Sequence, residues 1–170
     1  MKFLAVIGFL AILAAVGAGI FFFGGFYNIA AAEPDLATVK SALVRVRVAA
    51  IERHAVDRPS ITLDDPKVIQ AGARAFAELG CVNCHGAPGV KWAKFSEGLH
   101  PDPPDLGEVA KDLPPAQLFW VIKNGINMTG MPSFGLIGTE DEKIWQVAAF
   151  IKALPRVSPD DYKAWSGAAP

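Results

Sequence analysis

Twenty-five consecutive residues, Phe3 to Tyr27, carry no charge. As a helix this run would measure about 37 Å, more than the roughly 30 Å of a bilayer's hydrocarbon core. It also accounts for the composition: 52% of the chain is apolar and 19% charged, against about 25% charged in typical soluble chains. A cleaved export signal is the rival reading, with Lys2 as its basic start and Ala30-Ala31-Ala32 as a small-residue cleavage site before Glu33. A signal's apolar stretch is only about 7–15 residues long, so the length favours an uncleaved anchor, and both readings export the rest of the chain. Lys2 on one side, with Glu33 and Asp35 beyond the other, places the C-terminal part outside the cytoplasm. Phe21, Phe22, Phe23, Phe26 and Tyr27 are expected at the outer interface. Ala11, Ala15 and Gly19 fall four apart, a weak small-residue strip in a segment rich in Ala and Gly, and a plain lipid-facing anchor is the expectation.

The remainder fits one modest domain. Sixteen Lys and Arg against seventeen Asp and Glu give a net charge of −1, which removes the electrostatic basis for binding nucleic acid. Leu36, Val39, Leu43, Val46 and Ala50 repeat at near-helical spacing, predicting an amphipathic helix over 35–54, although Val44 to Val48 alternate as a strand would. Arg45, Arg47, Arg53 and Arg58 read as a solvated face, with a partner or anionic headgroups as the alternative. Arg58-Pro59-Ser60 and Asp65-Pro66 then set off a separate domain. The expected organisation is an anchor at 1–30, a helical linker at 31–62, a compact domain at 63–157 and an extension with a short helix at 158–170.

Within the domain, Val68, Ile69, Ala73, Phe76 and Leu79 predict a helix closed by Gly80. Glycines and prolines break residues 86–113 into a long loop, of a length that usually wraps something or has a function. A helix is expected from Pro114 and Pro115 to Gly125 with Asp112 as its N-cap, and another from a Thr139-Glu140-Asp141-Glu142 capping box to Pro155. Ser158-Pro159-Asp160-Asp161 starts a last helix running to about Trp165. Trp92, Trp120 and Trp145 are expected to serve as packing.

The two cysteines stand in Cys81-Val82-Asn83-Cys84-His85, the C-x-x-C-H arrangement that carries covalent haem c. Two thiols three apart on a helical turn reach two vinyl groups, and the next imidazole faces the iron. Composition alone would produce the pattern with a probability of about four in ten thousand. A zinc site would want two more Cys or His ligands at matching spacing, and His54 and His100 stand in no ligand pair. A redox dithiol would want a βαβ context, and none is visible. The second axial position separates electron transfer from ligand chemistry. Asn127-Met128-Thr129-Gly130-Met131-Pro132 offers two thioethers. Pro132 would stiffen the loop at Met131, which makes Met131 the first choice, with Met128 and then His100 behind it.

With CVNCHGAPG, PPDL, LFWVIKNGINMTGMPSFG and IWQVAAFIKALP in place over about residues 66–156, the sequence resembles the class I monohaem cytochromes c, more closely the membrane-anchored bacterial ones. The resemblance implies an all-α fold of helices and loops around one covalent haem c. It implies His85 as proximal and Met131 as distal ligand, Cys81 and Cys84 as thioether attachments, the Pro104 carbonyl holding the His85 Nδ1 proton, and Leu106 against the haem. It also matches Gly72 and Phe76 to a contact with the last core helix at Val147 and Phe150, with one extra residue between Phe76 and Cys81 compared with the commonest spacing.

The expected function is one-electron transfer on the periplasmic face of a bacterial inner membrane, as a single-pass tethered carrier or as the cytochrome subunit of a respiratory dehydrogenase or oxidase complex. Iron closed on both axial faces leaves no site for oxygen or peroxide. The expected partners are redox proteins and the membrane, with no small-molecule substrate and no enzymatic activity of the chain's own. The rival is a ligand-binding, gas-sensing or peroxidase-like haem with a labile methionine.

Overall fold

A computed structural model describes residues 2–167, and among these the regular structure is helical, as expected. The chain divides into two units after Pro34.

The first unit is α1 (Lys2–Phe23), 22 residues long with no buried side chain. By length and composition it is able to cross a membrane. At its C-terminal end Phe21 and Phe22 gather with Tyr27, four residues past the helix, into an aromatic cluster with ring centroids 5.3–6.2 Å apart.

The second unit begins with α2 (Ala37–His54), so the Val44–Val48 alternation yields to helix. Ile51 is its one buried side chain, and the His54 ring stacks on Trp120. Leu43 and Val46, expected on an apolar stripe, are exposed. The helix meets the rest of the unit mainly through its C-terminal half, against α6 (Pro115–Asn124).

The core is built on α3 (Pro66–Glu78) crossing α7 (Asp141–Ala153). Asp65 caps α3 by accepting from Lys67 N–H, and Pro66 occupies its first turn, where a missing N–H costs nothing. The crossing is close because residue 72 is glycine: a Cβ there would lie 2.0 Å from the Gln146 carbonyl oxygen and 2.8 Å from Phe150 Cβ. One turn on, Phe76 meets Phe150 edge-on with centroids 5.3 Å apart. The extra residue before Cys81 leaves this contact intact. Phe119 of α6 stacks on Trp145 at 4.0 Å, closing the other side of α7.

Three local expectations are corrected. The stretch 86–113 is not irregular throughout: it holds a 3₁₀ turn at Lys94–Gly98 and α5 (Leu106–Asp112), whose N-cap Asp105 accepts from Gly107 N–H. Asp112 therefore ends α5 and does not cap α6, which starts from Pro114. At α7 the N-cap is Glu140 with no side-chain cap bond, so the Thr139 capping box is not formed; the Thr139 N–H turns back to the Phe134 carbonyl. The box does form at Ser158 and Asp161, opening α8 (Pro159–Ser166). Residues 168–170 of the expected C-terminal extension lie outside the described residues.

α8 packs on α3 and stacks Tyr162 on Phe150 at 5.7 Å. Lys152 of α7 reaches the other way, its ammonium donating to the Ala110 and Leu113 carbonyls at the end of α5. Those carbonyls have no acceptor role inside α5, and the cation there also matches the helix dipole.

Candidate functional site

Cys81, Val82, Asn83, Cys84 and His85 form α4 (Cys81–His85), a single helical turn. Its start is set by Gly80 in the left-handed region at φ 76°, which lets α3 end and α4 begin on a new axis within two residues. Gly86, at φ 66°, ends the turn, and a Cβ there would lie 3.0 Å from the Val90 carbonyl oxygen. The chain then closes a tight Ala87–Val90 bridge, and Asn83 receives the Ala93 N–H. Trp92 does not serve as core packing: it lies over Gly86 with 55% of its surface exposed, because this bridge holds the segment at the surface.

His85 Nδ1 lies 3.0 Å from the Pro104 carbonyl oxygen. A carbonyl can only accept, so Nδ1 carries the proton and Nε2 is left with its lone pair. Burial pushes the His85 pKa down, toward the neutral imidazole that a ligand must be, and the bond to Pro104 opposes this shift. Cys81 packs against the core, and burial pushes its thiol up to about 12. A buried cysteine of this kind is poorly suited to working as a thiolate, whereas a thioether carries no ionisable proton and bears burial well.

The two methionines separate clearly. Met131 is half-buried against the core, while Met128 is 81% exposed at φ 60°. Gly125 makes the base of this loop: a Cβ there would lie 2.9 Å from the Met131 carbonyl oxygen and 2.7 Å from the Pro132 carbonyl carbon. His100, the third choice, is instead paired with Asp35, Nε2 to carboxylate at 3.4 Å. Leu106 is buried at the start of α5 as part of the main core.

The donor set fits a covalent haem: two thiols on one helical turn, an imidazole with a free Nε2, and a partly buried thioether on a separate loop. The pattern of the sequence does not single out Thr129, whose hydroxyl bonds within the Met131 loop. A threonine two residues before a loop methionine was the available signal, through the tendency of Ser and Thr to bond nearby backbone.

Comparison with known proteins agrees with this arrangement. Residues 67–151 match the family model described as cytochrome C oxidase, cbb3-type, subunit III. Neither the curated proteins nor the solved structures gave a match. The match spans half the chain, from α3 through α7, and includes α4, Pro104 and Met131. The chain belongs to this family, and with it to the c-type cytochromes of all-α class I fold that transfer electrons through haem.

Proposed function

We propose that the protein is a membrane-tethered one-electron carrier on the periplasmic face of a bacterial inner membrane, working as the cytochrome subunit of a respiratory oxidase or related redox complex. The observation that carries this is the placement of Cys81, Cys84 and His85 on one turn, with His85 Nδ1 held by Pro104 and Nε2 free. Haem supplies a one-electron iron couple when bound. Cys81 and Cys84 fix it covalently, His85 is the proximal ligand and Met131 the distal one. Pro104 sets the imidazole's tautomer and orientation. A neutral thioether suits iron that changes oxidation state, and it favours the reduced form relative to a second imidazole. The role in a complex is supported by the family's description as an oxidase subunit. The tether is supported by the length of α1 and the charges that flank it.

The test is spectroelectrochemistry on the full chain purified in mild detergent, together with identification of the proteins that accompany it in stoichiometric amount. Met131→Ala is expected to lower the midpoint potential by on the order of 100 mV, a modest part of the roughly 0.8 V that axial ligands span, and to admit carbon monoxide. Met128→Ala is expected to do neither. Reversed effects move the distal ligand to Met128, and carbon monoxide binding readily to the unaltered reduced protein overturns the carrier reading. A companion oxidase supports the subunit role, while recovery of the chain alone makes it a free shuttle.

A further inference from the structure

The segment from Gly125 to Pro132 folds back on itself through three hydrogen bonds. Ile126 N–H donates to the Met131 carbonyl at 3.2 Å. The Thr129 hydroxyl donates to the Ile126 carbonyl at 2.8 Å and accepts the Met131 N–H at 3.1 Å. Both backbone polar groups of Met131 and both of Ile126 are thus satisfied inside the loop, and one side chain supplies two of the three bonds. The ring sits on Gly125, where there is no room for a Cβ. Within it Met128 stands at the crown, exposed and left-handed, while Met131 stands at the base against the core.

We infer that Thr129 is the positioning residue that selects Met131 over Met128 and holds its thioether ready for the iron. This inference rests on the reading of Met131 as distal ligand. A neutral thioether is a weak ligand, so its hold on iron depends on how little freedom it must give up when it binds. The Thr129 hydroxyl removes that freedom beforehand by fixing the backbone on the N-terminal side of Met131. Pro132 fixes it on the C-terminal side, since its ring limits φ to about −65°. Valine has nearly the same shape as threonine but neither donates nor accepts, so Thr129→Val strands the Met131 N–H and the Ile126 carbonyl. Serine keeps both bonds.

The test uses full-length ferric protein and imidazole as the competing ligand. The readouts are the apparent imidazole affinity and the long-wavelength sulfur-to-iron absorption band, with helical circular dichroism as a check on the fold. Thr129→Val is expected to bind imidazole about tenfold more tightly and to weaken the band, while Thr129→Ser stays within about twofold of the parent protein. A change in overall stability alone would not move the band with the dichroism preserved. Equal effects of Val and Ser overturn the inference, because the hydroxyl would then be immaterial. Parent-like behaviour of Thr129→Val beside a much tighter Met131→Ala overturns it while leaving Met131 as the ligand. Parent-like behaviour of Met131→Ala overturns the ligand assignment itself.

Discussion

The imidazole of His85 and the carbonyl of Pro104, nineteen residues apart in sequence, meet at 3.0 Å. The bond ties the helical turn of the cysteines to the entry of α5, so the tautomer of His85 depends on a segment on the far side of the whole intervening loop.

Replacing His85 separates attachment from ligation. In His85→Ala both cysteines remain, so the haem is expected to stay covalently bound, by the mass of the denatured chain, while the absorption spectrum changes from low-spin to high-spin. An unchanged spectrum would assign the proximal role elsewhere.

The α3–α7 crossing predicts a large penalty at one position. Gly72→Ala sets a methyl against the Gln146 carbonyl oxygen at 2.0 Å, a backbone atom that cannot turn aside. The helices must separate along a packed seam, with an expected cost of about 3 kcal/mol and a fall in thermal midpoint of roughly 10 °C. A midpoint within a degree or two of the parent would show that the crossing relaxes freely.

A surface ion pair gives a pH dependence of known sign. The Lys143 ammonium donates to Glu78 at 2.7 Å, and this bond and charge hold the Glu78 carboxyl below its ordinary range. A depressed folded pKa adds stability above the unfolded value of about 4.5 and loses it as pH falls through the folded value. The pair is exposed, so the effect is small and screened by salt. Glu78→Gln is expected to lower the thermal midpoint slightly at pH 7, with the difference vanishing on acidification or in 1 M salt. A difference that grows on acidification would contradict this assignment.

Legibility in the sequence followed the range of the forces involved. The turn of Cys81 to His85 is local chemistry and was readable directly, as was the helix start at Ser158 and Asp161, where both capping partners lie within four residues. α5 was readable in principle from Asp105 ahead of Leu106, Val109 and Ala110, but the prolines at 101, 103 and 104 obscured it. Asp112 and Thr139 had the right chemistry for caps and failed because neighbouring segments claimed them, α5 in one case and the Phe134 carbonyl in the other. Burial along α2 was not readable, since its stripe is decided by what α6 offers, and Trp120 offers a surface only near His54. In the site, cysteines, histidine and both methionines were legible, and Pro132 already favoured Met131 over Met128, whereas the bonds of the Thr129 hydroxyl across their loop needed its folded shape.

α8 bears on the surroundings of the first cysteine. Its Pro159 sits where a Cβ on Gly89 would come within 2.8 Å, and its Tyr162 lies near enough to Cys81 for burial and that neighbour together to push the phenol's pKa up. The last helix of the described residues thus walls one side of the first cysteine, while both cysteines keep part of their surface open, so a chain cut before Ser158 would lose a wall of the pocket and keep its attachment turn.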